Sequence, residues 1–399
     1  MDRRNRRVFG VLFFSIFAAI MGVGVVVPLL PIYARSMGAS GLYIGMIFGA
    51  FSLSRTFLLP FFGRLSDRRG RKPFIVCGLF CYALISLAFM LANSVEALIV
   101  VRFFQGIASA MIMPVSQAYV GDITPAGSEG LSMGLFNMSV FWGLSVGPLA
   151  GGMISDRFSL DAAFGCMGLL ALTGCIASLL FLPSTHSEQV GSRPQAAFSW
   201  KLLLHDREIA ALFGLRFAYT ACIGIIWGFL PVFADSEFAL TRSAIGVLVM
   251  LGVFISGLIH LPMGYLADRL NRPALILCGS LMVSAAILGF GWTRGFWSLF
   301  AVNVLFGIGG GVAMPALMAL AVIKGNRTTA MGAVMGLLTM AHSMGMLAGA
   351  LLAGVMMDFF ELRHAFTLGC GVMLCGSLFF GIFHRGVRPA DSKPQEELS

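Results

Sequence analysis

Long apolar runs broken by short polar turns set the pattern of this chain. They extend from Val8 to about Tyr33, from Leu42 to Phe62, from Phe74 to Ala92, onward from near Val95, and from about Phe164 to Leu182; the second half continues in kind. A membrane crossing takes roughly 20 residues to span about 30 Å of hydrocarbon, so 399 residues with short connections accommodate about a dozen crossings. The expectation is an all-α membrane protein with twelve transmembrane helices. The first run follows Arg3, Arg4, Arg6 and Arg7 as a secretion signal would, but it is too long and lacks a small-residue cleavage site, so it reads as a retained first helix. Its later part, Gly22 to Pro31, is rich in Gly and Pro, which are tolerated where a cavity or neighbouring helices satisfy the freed backbone groups. That suits a helix lining a substrate path, and for Pro31 a plain helix end is an equal reading.

The pattern breaks once, near the middle. Pro183 to Lys201 gathers Ser, Thr, Gln, Pro, Gly and charges into a linker, and the halves on either side repeat. Leu30-Pro31-Ile32-Tyr33-Ala34 recurs as Leu230-Pro231-Val232-Phe233-Ala234, and Gly63-Arg64-Leu65-Ser66-Asp67-Arg68 as Gly264-Tyr265-Leu266-Ala267-Asp268-Arg269. Met113-Pro114 returns as Met314-Pro315, and Met133 to Asp156 aligns without gaps on Met335 to Asp358, closing aspartate included. The separation is about 200 residues throughout. We therefore expect two pseudo-symmetric six-helix bundles, residues 1–182 and 208–385, joined by a cytoplasmic linker at 183–207 and followed by a cytoplasmic tail at 386–399. Related halves that rock about a site between them are the requirement for alternating-access transport.

Composition agrees and adds exclusions. With 58% hydrophobic and 11% charged residues, against roughly 25% charged in a soluble domain, no water-soluble core could absorb the apolar surface. The net charge of +9 falls largely in one alternate set of turns, so it is a topology signal and not a nucleic-acid footprint. The eight cysteines all lie in apolar segments without His or acidic neighbours at ligand spacing, which argues against disulfides and metal sites. No HExxH, phosphate loop or sizeable soluble domain is present, so a membrane enzyme or sensor is disfavoured, and neither catalytic residues nor cofactors are expected.

The densest polar interruption is Gly63-Arg64-Leu65-Ser66-Asp67-Arg68-Arg69-Gly70-Arg71-Lys72, a charged hinge between the second and third runs. Its five bases place this turn in the cytoplasm. Bases alone would make it an anchor, but Asp67 can accept charge-assisted bonds from Arg or from a helix N-terminus, and Gly63 and Gly70 permit a tight turn. The decapeptide resembles, at every defined position, the loop between helices two and three in the major facilitator superfamily of transporters. That resemblance implies a conformational latch of Gly63, Asp67, Arg68, Gly70 and Arg71, with Asp122 at the end of helix four as the partner of Arg71. An ordinary helix-end acid is the other reading of Asp122.

Two further segments extend the resemblance, which covers the chain to about Arg385. Arg102, Gln105 and Gly106 share one face of helix four by their i, i+3, i+4 spacing. An arginine inside an apolar helix costs roughly 2.5–3.5 kcal/mol on insertion, so it faces protein or water. The Arg then Gln-Gly run resembles a fourth-helix motif linked to proton transfer, with a structural role for Arg102 as the alternative. In helix five, Gly134, Gly143, Gly147, Pro148, Gly151 and Gly152 clear one side for close packing. Their spacing resembles the fifth-helix motif of exporting antiporters, of the drug:proton branch, and is less typical of uptake symporters.

Arg55, Arg102, Arg216, His260 and His342 lie inside predicted helices, whereas no Asp or Glu lies near the middle of one. Exporters of cationic drugs often keep a carboxylate there. A basic interior points to neutral or anionic solutes, and leaves His342, His260 and the helix-end Asp122 as proton-carrying candidates; His342, among Thr339, Ser343 and small residues, is the first of them, with a neutral bridge between helices as its other reading. The substrate or proton path is thus assigned to Arg102, Gln105, Arg216 and His342. The expected protein is a monomeric, multi-pass secondary transporter of a cell inner membrane, both termini cytoplasmic, whose partners are a small-molecule substrate, protons and the lipid bilayer. Efflux of small drug-like organic molecules is the first reading, and uptake or exchange of an anionic metabolite the second.

Overall fold

A computed structural model describes residues 3–125, 129–183, 206–327 and 331–385. The expected linker and tail lie almost wholly outside these residues. Twelve helices, and no strand among the described residues, make up the fold: α1 (Arg3–Ser36), α2 (Gly41–Arg69), α3 (Lys72–Leu91), α4 (Val95–Ile123), α5 (Glu129–Arg157), α6 (Leu160–Phe181), α7 (Arg207–Phe238), α8 (Arg242–Arg269), α9 (Arg272–Phe290), α10 (Phe296–Arg327), α11 (Met331–Phe359) and α12 (Leu362–Arg385). All twelve are long and apolar enough to span a membrane.

Side chains set the helix starts. Ser40, Ser94, Ser159, Thr241 and Asn271 each accept the N–H three residues on, and Asp206 accepts those of Glu208 and Ile209. Each such cap is worth about 1 kcal/mol. The charged decapeptide departs from the sequence reading of a loop. α2 continues through it to Arg69, because Arg68 and Arg69 in the last turn offset the helix dipole, and the chain turns only at Gly70, whose φ of 88° favours glycine. Pro73 then opens α3 at a position needing no N–H donor. Pro28 and Pro31 both lie within α1, so Pro31 does not end it.

The bundles are built alike. In the first, α1 packs on α5 and α6, α2 on α4, and α3 on α4 and α6; in the second, α7 packs on α11 and α12, α8 on α10, and α9 on α10 and α12. An aromatic cluster marks the repeat: Phe89 stacks on Phe164 with centroids 5.2 Å apart and Tyr33 at its edge, while Phe290 stacks on Phe366 at 5.3 Å with Phe233 at its edge. Between bundles the main contacts are α2 with α11 and α5 with α8, again related by the repeat.

Candidate functional site

Three polar constellations interrupt the apolar structure. The first lies where α2, α3 and α4 meet. Arg71, 5% exposed, bonds Asp67 through Nη1, Asp122 through Nε at 3.1 Å, and the Ser66 hydroxyl at 3.0 Å. The Asp122–Arg71 contact expected from sequence is therefore present. Asp67 and Asp122 remain about a third exposed, so solvent weakens each pair, yet the guanidinium itself is buried and its loss would strand two carboxylates together. Arg68 is exposed and outside this cluster, and a Cβ on Gly63 would meet open space. The second bundle has a counterpart that the sequence reading missed: Lys324 at the end of α10 reaches Asp206 and Glu208 at the start of α7, each at 2.8 Å. Its signal was a paired acid at a helix start, which has no equivalent in the first-half motif.

The second constellation is basic and buried at mid-helix. Arg102, 3% exposed, donates from Nη1 to Gln105 Oε1 at 2.8 Å and from Nε to the Ile47 carbonyl at 3.4 Å, while Phe48 and Phe51 cover its guanidinium at 4.9 and 4.8 Å. It clasps α4 to α2, which is the structural alternative read from the sequence, and leaves the Gln105 amide nitrogen without a partner. Among the described residues Arg216 on α7 finds only neutral acceptors, Met314 Sδ at 3.1 Å and His342 Nδ1 at 3.3 Å, and its Nε has none. Accepting from a guanidinium requires an unprotonated Nδ1, so His342 carries its hydrogen on Nε2 here. Arg55 on α2 has no hydrogen bond or ion pair among the described residues, only the Phe51 ring at 6.0 Å. Tyr82, 2% exposed, stands by Arg55 and Arg102, and Tyr219 by Arg216; neither was singled out in the sequence. His260 is exposed and donates Nδ1–H to the Ser256 carbonyl at 2.6 Å, which spends that nitrogen within its own helix.

The third constellation joins the bundles at the end opposite the Arg71 cluster. Asp358, in the last turn of α11, accepts the Gly41 and Leu42 N–H groups of α2 at 2.5 and 2.8 Å. Asp156, in the last turn of α5, accepts the Arg242 and Ser243 N–H groups of α8 at 3.1 and 2.7 Å, and the Ser243 hydroxyl at 2.5 Å. A carboxylate in a last turn opposes its own helix dipole, and here that cost is offset by the first-turn N–H groups of the other bundle. Ser40 and Thr241 already cap the third N–H of those same helices, which leaves the first two for the aspartate. Sequence reading registered both residues only as the closing aspartate of the repeat. Among the described residues, these bonds and the Arg242–Ser155 contact at 2.7 Å are the hydrogen bonds that join the bundles.

The glycines of α5 sort by contact. Cβ atoms at Gly143, Gly147 and Gly151 would strike the α1 backbone at Met21, Gly24 and Val25, and one at Gly152 would strike Arg242 of α8. The Pro148 carbonyl lies against Gly246 of α8, so this stretch is seated in both bundles. Gly134 stands apart, with open space where a Cβ would be.

The sequence profile of the Major Facilitator Superfamily matches residues 12–235 and again 212–399. Multidrug resistance protein 2 of Bacillus subtilis is 29% identical over 387 residues, covering 93% of this chain and 94% of that protein. Quinolone resistance protein NorA of Staphylococcus aureus is 25% identical over 383 residues, covering 93% and 95%. A crystal structure of a bacterial homologue of the human lysosomal transporter Spinster, inward-facing and occupied, superposes with a TM-score of 0.81 at 15% identity, covering 98% of this chain and 100% of that one. Twelve spanning helices in two matched bundles, and a family profile that matches each half, place this chain in the Major Facilitator Superfamily: it is a multi-pass membrane transporter and not an enzyme.

Proposed function

We propose that the protein exports small organic molecules in exchange for protons, as a monomer in a cytoplasmic membrane with both termini in the cytoplasm. The observation that carries this reading is the α5 seam. The glycine spacing that resembles exporting antiporters packs against α1 on one side and α8 on the other, so the element that holds one bundle together is also a surface on which the other moves. Its relatives include a multidrug resistance protein and a quinolone resistance protein, which supports efflux over uptake. With the Arg71 end in the cytoplasm, as its bases require, bundles whose hydrogen bonds among the described residues lie at the opposite end fit a state open inward.

Transport proceeds when substrate and proton bias the two states differently, since a ligand shifts an equilibrium only by its differential affinity. The Arg71–Asp67–Asp122 cluster is the cytoplasmic latch, Arg102 and Gln105 position α4 against α2, and Arg216 and His342 line the path. His342 is the coupling residue. Its test is His342→Gln in proteoliposomes: exchange of labelled for unlabelled substrate at equal pH survives, while accumulation driven by ΔpH is lost. A mutant that still concentrates substrate under ΔpH alone removes His342 from coupling. Uptake or exchange of an anionic metabolite is the second reading, favoured by guanidinium groups without a carboxylate partner, and the direction of substrate movement under a fixed ΔpH separates the two.

A further inference from the structure

Arg55 and Arg216 come from different bundles, and among the described residues neither meets a carboxylate. Every Asp and Glu in the spanning helices lies near a helix end, so no carboxylate is available at this depth. By helix rise, Arg55 is about 20 Å from the end of α2, and Arg216 and His342 are about 14 and 16 Å from the starts of α7 and α11, which puts all three near one level of the membrane. His342 bonds Arg216, and the α2–α11 seam, which sets Gly41 against Gly354, Gly45 against Ala350 and Gly49 against Leu347, runs on by the helix rise to Arg55 at the level of His342. The Nε atoms of both arginines are buried without an acceptor. Structural arginines look different in this same molecule: Arg102 has a side-chain oxygen, a backbone carbonyl and two ring faces, and Arg71 has two carboxylates and a hydroxyl.

We infer that the gap between Arg55 and Arg216 is the anchor for the anionic head of the transported molecule, and that this molecule is an organic monoanion with a carboxylate-type head and an aromatic or apolar body. The inference rests on the transport reading and narrows its substrate class. Two oxygens of one carboxylate satisfy two guanidinium donors at once, the arrangement for which arginine is suited and lysine is not. The apolar body has Phe51, which Arg55 already approaches, and Phe48, whose ring lies 3.8 Å from a Cβ built on Gly228 of α7 and so reaches across the bundles. Because one head would contact α2 and α7 together, the ligand ties the halves at mid-membrane.

The test uses the full-length protein in nanodiscs and three probes of one shape: 2-naphthoate, neutral 2-naphthamide and cationic 2-naphthylmethylamine. Binding is followed by isothermal calorimetry, with monodispersity and melting temperature as folding controls. Wild-type protein is expected to bind the carboxylate at least 30-fold more tightly than the amide or the amine. Arg55→Gln and Arg216→Gln are each expected to lose at least tenfold for the carboxylate while leaving the amide unchanged, and Arg55→Lys to recover part of the loss. An amide or amine that binds as tightly as the carboxylate, no binding of the carboxylate at millimolar concentration, or a carboxylate preference that survives both glutamine variants overturns the inference. Transport of the same probes in proteoliposomes keeps the two readings apart. Arginine-dependent binding without movement sinks the transporter reading alone, and movement of neutral probes without carboxylate preference sinks the anion site alone.

Discussion

Removing the two aspartate caps that join the bundles should open the molecule at the end opposite the Arg71 cluster. In Asp156→Ala/Asp358→Ala, four backbone N–H groups and one hydroxyl lose acceptors at 2.5–3.1 Å. Both aspartates are exposed, so the energy of a surface N-cap, about 1 kcal/mol each, is the right scale rather than that of a buried ion pair. These bonds exist only while the bundles touch at this end, so the full sum of about 2 kcal/mol falls on one side of the conformational equilibrium and moves it about 30-fold. Asn is also a good cap, so Asp→Asn at both sites should move it less. The assay is pulsed electron–electron resonance between spin labels at Arg35 and Ser236, exposed at this end of α1 and α7, in a background with the eight native cysteines replaced. The double alanine variant should gain a long-distance population that wild type lacks, and the double asparagine variant a smaller one. Identical distance distributions in all three would refute the reasoning, as would an equal shift in Asp161→Ala, a first-turn acid of α6 with no hydrogen bond to the other bundle among the described residues.

Reporters fused at Ser399 and within the 183–207 segment should both read as cytoplasmic, and activity of either outside the cytoplasm reverses the assigned orientation. Gly147→Val should lower the melting temperature in nanodiscs sharply, because its Cβ would strike the α1 backbone at Met21 and Gly24, a class of overpacking that costs about 1–3 kcal/mol, whereas Gly134→Ala should be neutral or slightly stabilising. Asp67→Asn should slow transport while expression and melting temperature hold. An Asp67→Asn protein with normal transport rates is no support for a latch.

Much of this fold is legible in the chain, because spanning helices announce themselves by length and apolarity, and because the two halves restate one another from Leu30 to Asp358. The Arg71–Asp122 contact was also readable, since it rests on a contiguous decapeptide and one helix-end acid. What escaped was long-range. The continuation of α2 to Arg69 depends on a dipole balance that a dense run of bases disguises as a loop. The roles of Asp156 and Asp358 require knowing that α5 meets α8 and α11 meets α2, which no local pattern states. In the sequence Arg102 is assigned with Gln105 to the path and Arg55 is only named as an interior arginine, and only the partners brought by folding show Arg102 clasped to α2 and Arg55 without a hydrogen bond among the described residues. Gly134 matches the packing motif in spacing, yet its own Cβ position faces open space while its neighbours Ser132 and Phe136 are buried.

The central claim is coupled export, and everted membrane vesicles test it most directly. With the lumen made acidic, a weak organic acid such as 2-naphthoate distributes passively away from the lumen, so its accumulation inside cannot be mistaken for leakage. Vesicles carrying the protein should concentrate 2-naphthoate in the acid lumen, lose it on addition of a protonophore, and concentrate it at a much lower initial rate when the protein is Asp67→Asn. Absence of accumulation by the wild-type protein, for this probe and its neutral amide alike, or accumulation that persists after the proton gradient is collapsed, would contradict the account.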